Sequence, residues 1–309
     1  MLATASKDSM VVLWEVARAE MRHAAPLCGH TDSLCSLAWS PDDAHLLTCA
    51  HDQLLMLWAS ASGECLRTYR KHTDSVMACA WLPSGTHFVS ASSDKMIVLW
   101  ALSGDVLHTW SGPRVQDMGI FPSGDALIAI SEHEIHMWPI THEAPSAAQA
   151  AVQGAAMGAV AIDGVGSATC PEIHVSDISE AVMTEPEPIT SLSLSSDGRH
   201  LLVNVASEEV HLWDTHERRL LHRYRGHKQG RFVLRSCFGG RDESLVLSGS
   251  EDTQIYVWHR YSETLLEVLP GHSGSVNAVT WCPGANVFAS ASDDHTVRIW
   301  CARGAPLEA

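Results

Sequence analysis

Short apolar segments that end in tryptophan recur along the chain, and turn-forming residues separate them. Three of these segments are MVVLW (10–14), MIVLW (96–100) and TVRIW (296–300), none of which alternates strictly between apolar and polar positions. The turns between such segments contain Pro, Ser, Asp and Gly, as in SPDD (40–43) and LPSG (82–85). The pattern predicts short β-strands that are buried on both faces.

The tryptophans that close these segments define an internal repeat, with members at Trp14, Trp58, Trp100, Trp138, Trp213, Trp258 and Trp300. Five of the six intervals between them are near forty residues, and the sixth, of 75 residues, holds one ordinary repeat plus about thirty extra residues. Short strands with regular turns at this period predict an all-β, seven-bladed β-propeller.

A second pattern lies upstream of several of these tryptophans. From His30, His72 and His272, a Thr or Ser follows after 18 residues, an Asp after 22 and a Trp after 28. The predicted sets are His30, Thr48, Asp52 and Trp58; His72, Ser90, Asp94 and Trp100; His272, Ser290, Asp294 and Trp300; and, stretched by three residues, His227, Ser248, Asp252 and Trp258. Since an indole N–H only donates and a carboxylate only accepts, the order Trp, Ser or Thr, His, Asp satisfies every buried polar atom.

The same side chains could suggest a hydrolase triad, but their repetition favours a structural role. Catalysis needs one exposed nucleophile beside an oxyanion hole, whereas each of these hydroxyls is committed to an indole. The sequence contains no phosphate-binding loop, no metal-ligand spacing and no unpaired catalytic set. We therefore expect a protein that is not an enzyme and that holds no cofactor or metal.

The Trp segments preceded by Gly-His, as in GHTDSLCSLAW (29–39) and GHSGSVNAVTW (271–281), resemble the WD repeat. WD-repeat propellers usually close with an N-terminal strand that completes the final sheet. Thr4, Asp8 and Trp14 have the spacing of Ser290, Asp294 and Trp300, so residues 1–16 are predicted to be the last two strands of an incomplete blade. We expect Met1 to be a truncated or mispredicted start; the alternative, an open propeller, would leave unpaired sheet edges.

We call each of these sets of His, Ser or Thr, Asp and Trp a brace. Two repeats lack the brace pattern. Glu132 and Ile128 stand at the Asp and Ser positions before Trp138, and Ser207 and Val203 stand there before Trp213. We expect these blades to depend on packing alone.

Between the two degenerate repeats lies an Ala- and Gly-rich insertion at about 141–172. It is too weakly apolar for a membrane span and is predicted to be a surface loop, with a short helix at 146–159 as the alternative. The domain prediction is a propeller over 1–300, with its partial first blade at 1–16, and a C-terminal tail over 301–309.

Composition and charge argue against further classes of function. The 309 residues contain 20 Lys plus Arg against 36 Asp plus Glu, a formal charge of −16, which opposes binding to nucleic acid. No apolar run of about 18 residues is present and the nine cysteines are scattered, so we expect a soluble intracellular protein of the cytoplasm or nucleus. Residues 115–198 contain twelve acids and no Lys or Arg, which indicates either a solvated acidic face or a dock for a basic partner.

Several segments resemble one family more closely: GPRVQ (112–116), LLVNVA (201–206), RSCFGG (235–240) and SGSEDTQIYVWH (248–259) are similar to the WD-repeat subunit of the CTLH (GID) ubiquitin ligase complex. The resemblance covers essentially all of 1–300 except the insertion. It implies a non-catalytic scaffold that recruits substrates or regulators and binds other ligase subunits. Family members carry LisH and CTLH helical modules ahead of the propeller, and this sequence contains neither.

Two other scaffold functions stay open as alternatives. A cullin-ligase substrate adaptor usually shows Trp-Asp-x-Arg at blade ends, whereas Thr215 and His216 follow Trp213 and Asp214 here. A G-protein β-like signalling scaffold would normally have an N-terminal coiled coil, and no heptad pattern is present.

Partner binding is predicted at one end of the propeller. In WD propellers the Gly-His loops and the turns that carry the brace Asp open onto the same rim, and loops on a rigid scaffold favour recognition. The predicted rim residues are Asp32, His51, Asp74, Lys95, Arg231, Glu251, Asp293 and His295. Acid exceeds base in this set, so we expect a basic or mixed segment of a partner protein to dock there.

Overall fold

Seven antiparallel sheets, formed in chain order, make up a computed structural model of the chain, which describes residues 1–17, 20–143, 172–175 and 180–301. Blade 1 comprises β1 (Leu2–Ala5), β2 (Val11–Ala17) and β3 (Glu20–Leu27); blade 2 comprises β4 (Leu34–Trp39), β5 (His45–Ala50), β6 (Leu54–Ala59) and β7 (Cys65–Arg70); blade 3 comprises β8 (Val76–Trp81), β9 (His87–Ser92), β10 (Met96–Ala101) and β11 (Val106–Ser111).

The second half of the chain continues the series. Blade 4 contains β12 (Asp117–Ile120), β13 (Ala126–Ser131), β14 (Glu134–Glu143), β15 (Glu172–Val175) and β16 (Glu180–Thr184); blade 5 contains β17 (Ile189–Leu194), β18 (His200–Val205), β19 (Glu209–Asp214) and β20 (Arg219–Arg225). Blade 6 contains β21 (Ser236–Gly239), a 3-10 turn (Arg241–Glu243), β22 (Leu245–Gly249), β23 (Gln254–His259) and β24 (Leu265–Pro270); blade 7 contains β25 (Val276–Trp281), β26 (Val287–Ser292) and β27 (Val297–Cys301). The predicted fold, a seven-bladed all-β propeller, is confirmed.

The first blade differs from its prediction. Residues 1–16 were expected to be the last two strands of a blade, but β2 pairs with β3 along its whole length, from Val11 opposite Leu27 to Ala17 opposite Glu20. The described part of blade 1 is therefore a three-stranded sheet that extends to Leu27. The apolar pattern fades after Val16, which explains why the spacing of the tryptophans alone did not predict β3.

Strands occupy both ends of the predicted insertion. β14 continues to Glu143, and its last four residues pair with β15 from Ile140 opposite Val175 to Glu143 opposite Glu172. The expected surface loop, and the alternative helix at 146–159, fall on residues 144–171, which lie outside the described residues. At the other end of the chain, β27 reaches Cys301, and the rest of the predicted tail also lies outside them.

The core lies between blades rather than within them. Side chains from two neighbouring sheets form each of six buried clusters, as where Leu47 and Leu57 of blade 2 pack with Phe88 and Trp100 of blade 3. The Phe88 and Trp100 rings stack with centroids 6.2 Å apart. Because each middle strand packs against a neighbour on both faces, apolar residues fill consecutive positions, as the sequence pattern indicated. No helix in the described ranges has the length and apolar character needed to cross a membrane.

Candidate functional site

Three blades contain the predicted brace with nearly identical geometry. In blades 2, 3 and 7 the histidine Nδ1 lies 2.8–2.9 Å from Oδ2 of the Asp, and Nε2 lies 2.7–2.8 Å from the Ser or Thr hydroxyl. The Trp Nε1–H donates to the same hydroxyl at 2.8–2.9 Å. Since the hydroxyl accepts from the indole, its own proton is directed to Nε2, and the Nδ1–H donates to the carboxylate. Each hydroxyl is thus fully occupied and is not a nucleophile.

The Asp of each brace also holds two loops together at one end of the sheet. In blade 3, Asp94 Oδ2 accepts the backbone N–H of Thr73 at 3.0 Å and Oδ1 accepts that of Met96 at 2.9 Å. Burial raises the pKa of Asp94, but the hydrogen bonds from Thr73, His72 and Met96 outweigh it and hold the pKa below the usual value. Burial lowers the pKa of His72, which stays neutral. The brace therefore fixes the Gly-His or Lys-His loop to the neighbouring turn.

Blade 6 does not form the predicted set of His227, Ser248, Asp252 and Trp258. The phenol of Tyr256 donates to Asp252 Oδ2 at 2.7 Å and so takes the acceptor expected for His227. Ser248 bonds the carbonyl of Gly249 instead, and the Trp258 indole donates to the carbonyl of Arg225 at 3.1 Å.

As a result, both ring nitrogens of His227 are buried without a hydrogen-bond partner among the described residues. Burial lowers the pKa of His227 to about 4. The sequence signal was Tyr256 itself: the same position, two residues before the Trp, is Met56 in blade 2 and Val98 in blade 3, and neither side chain can donate to an Asp.

Blade 5 has a brace where the sequence predicted packing alone. The Trp213 indole donates to Glu185 Oε1 at 2.6 Å, and the same oxygen lies 2.7 Å from His211 Nδ1. His211 Nε2 lies 2.9 Å from Glu209. Glu185 stands 28 residues before Trp213, which is the position of the brace histidine in the other blades, so the spacing could have revealed it.

The blade 5 brace differs from the others because carboxylates lie at both ring nitrogens of its histidine. Burial lowers the pKa of His211, but hydrogen bonds to Glu185 and Glu209 outweigh it and raise the pKa above its usual value. Two carboxylates thus hold one imidazolium in a site where all three side chains are largely shielded from water. In blade 4, by comparison, Ile128 and Trp138 are almost completely buried, while Glu132 is exposed.

Six of the eight predicted rim residues lie on the loops that the braces of blades 2, 3 and 7 join, and Arg231 and Glu251 lie on loops of blade 6. Asp32, Asp74 and Asp293 are exposed, and so are His51, Lys95, Arg231 and His295. Glu251 differs, because its Oε1 accepts the consecutive backbone N–H groups of Gly230, Arg231 and Phe232 at 2.7–2.9 Å. Burial raises the pKa of Glu251, and these three bonds lower it below the usual value. Glu251 therefore shapes the loop and has little capacity left for a partner.

An ion pair that the sequence did not suggest crosses the centre of the propeller. Arg235 Nη1, from the segment leading into β21, lies 2.7 Å from Asp117 Oδ2 of β12, two blades away. The same carboxylate oxygen accepts the backbone N–H of Leu192 in blade 5, and the backbone N–H of Arg235 donates to Asn277 in blade 7. Arg235 also lines a cavity of about 440 Å³, together with β1 and strands of blades 2, 5, 6 and 7. Four blades are thus connected through Asp117 and through the side chain and backbone of Arg235.

The fold and the braces define a WD-repeat propeller, and comparison with known proteins agrees. The family model for the WD domain, G-beta repeat, matches residues 22–59, 63–101, 218–259 and 263–301, more than half of the chain. The chain belongs to the WD40-repeat family. Proteins of this family generally act as non-catalytic scaffolds for protein–protein interaction.

Several curated relatives are similar to most of the chain. It is 35% identical over 307 residues to the WD repeat-containing protein 26 homolog of Arabidopsis thaliana, which covers 97% of this chain and 46% of that protein. It is 31% identical to the homolog of the same name in Drosophila melanogaster, over 97% of this chain and 44% of that one. GID complex subunit 7 of Schizosaccharomyces pombe is 37% identical over 66% of this chain and 36% of its own. The chain spans about half the length of the first two relatives.

Proposed function

We propose that this chain is the protein-recognition propeller of a CTLH (GID)-type ubiquitin ligase, in which it presents substrates or regulators for ubiquitin transfer by other chains. The similarity to GID complex subunit 7 over two thirds of the chain is the observation that carries the proposal. The similarity to the WD repeat-containing protein 26 homologs, over nearly the whole chain, agrees with it. The role is exercised in the cytoplasm and the nucleus.

The rim is the proposed docking surface. Rigid sheets hold its loops, and the braces of blades 2, 3 and 7 fix two loops in each of those blades. Asp32, Asp74 and Asp293 present exposed carboxylates there, so a basic or mixed segment of a partner is attracted through the field of the rim. The interaction weakens with salt, because exposed charges are screened beyond about 10 Å at 0.1 M.

The test is a triple charge reversal, Asp32→Lys, Asp74→Lys and Asp293→Lys, which leaves Glu251 in place because it holds its own loop. The matched control reverses three exposed acids away from the rim, Asp43, Glu64 and Glu267. Tagged chains are recovered from cells after cross-linking at low salt, and the co-purified proteins are quantified by mass spectrometry.

We expect CTLH-type ligase subunits, together with substrates or regulators, to co-purify with the wild type and with the control. The rim variant should lose substrates or regulators while its melting temperature stays the same. Recovery of no ubiquitin-ligase subunit by the wild type would contradict the ligase role. Equal recovery by the rim variant would contradict the rim as the docking surface.

A further inference from the structure

A stretch of blades 5 and 6 has the opposite charge to the acidic residues 115–198. Residues 218–241 include eight Lys or Arg and no Asp or Glu, whereas residues 115–198 include twelve acids and no Lys or Arg. The basic residues are Arg218, Arg219, Arg223, Arg225, Lys228, Arg231, Arg235 and Arg241. In a chain with a formal charge of −16, this is a local reversal of sign.

A groove of about 450 Å³ lies within this basic stretch, on the outer side of the propeller. The outer strand of blade 5, β20, forms one wall with Leu220 and Leu221, and β24 of blade 6 forms the other with Leu265, which is 43% exposed. The indole of Trp258 lies at its floor. The groove therefore combines leucine side chains with the polar groups that line it.

The edge of the groove is basic. Arg223 and Arg225 line it, together with His222, whose Nδ1 lies 2.9 Å from the carboxylate of Glu263. Arg225 pairs with Glu209 at 2.8 Å. Arg223 is exposed, and within the described ranges no carboxylate pairs with it. One guanidinium group is thus available beside the leucine side chains of the groove.

The equivalent place between blades 2 and 3 is closed. There the residue that corresponds to His222 is Arg67, and its guanidinium crosses to the carbonyl of Ser103 in the next blade. A shorter imidazole at this place leaves the trough between blades 5 and 6 open. The place between blades 5 and 6 therefore differs from the place between blades 2 and 3.

We infer that this groove is a docking site for an acidic segment of a partner protein, in which an apolar side chain is flanked by Asp or Glu. The apolar side chain would contact the leucines above Trp258, and a flanking carboxylate would pair with Arg223, a charge-assisted and, with a guanidinium group, often bidentate contact. This surface lies outside the rim and favours the opposite charge, so it does not rest on the ligase role. A nucleic acid fits less well, because it has no apolar side chain for the trough and the chain as a whole repels phosphate.

The test measures binding of a fluorescein-labelled synthetic peptide, Gly-Asp-Leu-Asp-Phe-Glu-Leu-Gly, to the whole chain by fluorescence anisotropy at low salt. We expect saturable binding that weakens about tenfold, or about 1.4 kcal/mol, in Arg223→Glu, and by less in Arg223→Gln. Leu265→Ser should also weaken it. The matched control is Thr68→Glu, at the corresponding position of β7, where Arg67 closes the trough.

Three outcomes would overturn the inference. The first is the absence of saturable binding by the wild type, and the second is unchanged affinity in Arg223→Glu with a wild-type melting temperature. The third is equal affinity for a single-stranded DNA oligonucleotide of the same charge, which would mean a general polyanion surface. Loss of binding in Arg223→Glu but not in Thr68→Glu, with the peptide preferred to DNA, would support it.

Discussion

Blades 3, 5 and 6 place a tryptophan at the same strand position and satisfy its N–H in three different ways. In blade 3 the acceptor is the hydroxyl of Ser90, in blade 5 the carboxylate of Glu185, and in blade 6 the backbone carbonyl of Arg225. The shared requirement is thus an acceptor for the buried indole, because an unpaired buried donor is costly. The four-residue brace is one solution among several.

The three solutions also differ in charge. Blade 3 holds a neutral histidine between a hydroxyl and a carboxylate, whereas blade 5 holds His211 with its pKa raised by two carboxylates. Blade 6 buries His227 with no partner, and burial lowers its pKa to about 4. Adjacent blades should therefore respond to pH in opposite directions.

The largest expected effect is in blade 5. Glu185→Ala removes the acceptor of Trp213 and leaves His211 with one of its two carboxylates, so we expect a loss of about 3–5 kcal/mol in the free energy of unfolding. Glu185→Gln keeps an acceptor for the indole and should cost less. Urea unfolding measures both, with Glu132→Ala, an exposed position in blade 4, as control. A loss in Glu185→Ala no larger than that of the control would show that the brace does not stabilise blade 5.

The pH dependence is the next largest effect. The pKa of His227 is lowered on folding, so its contribution is complete above about 6.5 and is lost as the pH falls from there toward about 4. The full loss is about 3 kcal/mol. His211 has the opposite sign: its pKa is raised, so its contribution is complete below about 6.5 and is lost as the pH rises through the higher value of the folded state.

Unfolding free energies measured from pH 4 to 8 separate these two contributions. His227→Leu should flatten the acid side of the profile, and His211→Gln should flatten the neutral and alkaline side. His295→Gln, at an exposed rim position, provides a control. Profiles of the two variants that change in the same direction would contradict the assignment.

A smaller loss of stability is expected when the equivalent aspartates of blades 3 and 6 are replaced. Asp94→Ala leaves His72 without its acceptor and frees the backbone N–H of Thr73, so we expect a loss of about 1–3 kcal/mol. Asp252→Ala in blade 6 removes a bond to the Tyr256 phenol but none to a histidine, and should cost less. Thermal melts of both variants, together with Asp294→Ala in blade 7, test this order. Equal losses for Asp94→Ala and Asp252→Ala would contradict it.

The sequence predicted the features that repeat and missed those that occur once. The strand pattern and the tryptophan spacing indicated seven blades, and the constant offsets placed the braces of blades 2, 3 and 7. The blade 5 brace was missed because Glu185 replaces a histidine, and a search for Gly-His excludes it. The pair of Asp117 and Arg235 joins residues 118 apart in sequence, and no local pattern could indicate that contact.

The prediction of the rim from sequence has the same limit. Its residues were predicted from loop position, and position does not reveal which carboxylates are already occupied. Glu251 is committed to three backbone N–H groups, whereas Asp32 accepts one, from the next residue along. Both residues are acids on predicted rim loops, and only the loop conformation separates a structural acid from an available one.

The smallest effect comes from restoring the brace of blade 6. Tyr256→Met introduces the residue that blade 2 has at this position, Met56, and removes the phenol that occupies Asp252. Asp252 is then free to accept the Nδ1–H of His227. Loss of one hydrogen bond and gain of another leaves stability within about 1 kcal/mol, while the new carboxylate contact raises the pKa of His227 from about 4. Histidine NMR titration measures that pKa directly. An unchanged value would show that the three extra residues between His227 and Ser248, rather than Tyr256, keep the histidine and Asp252 apart.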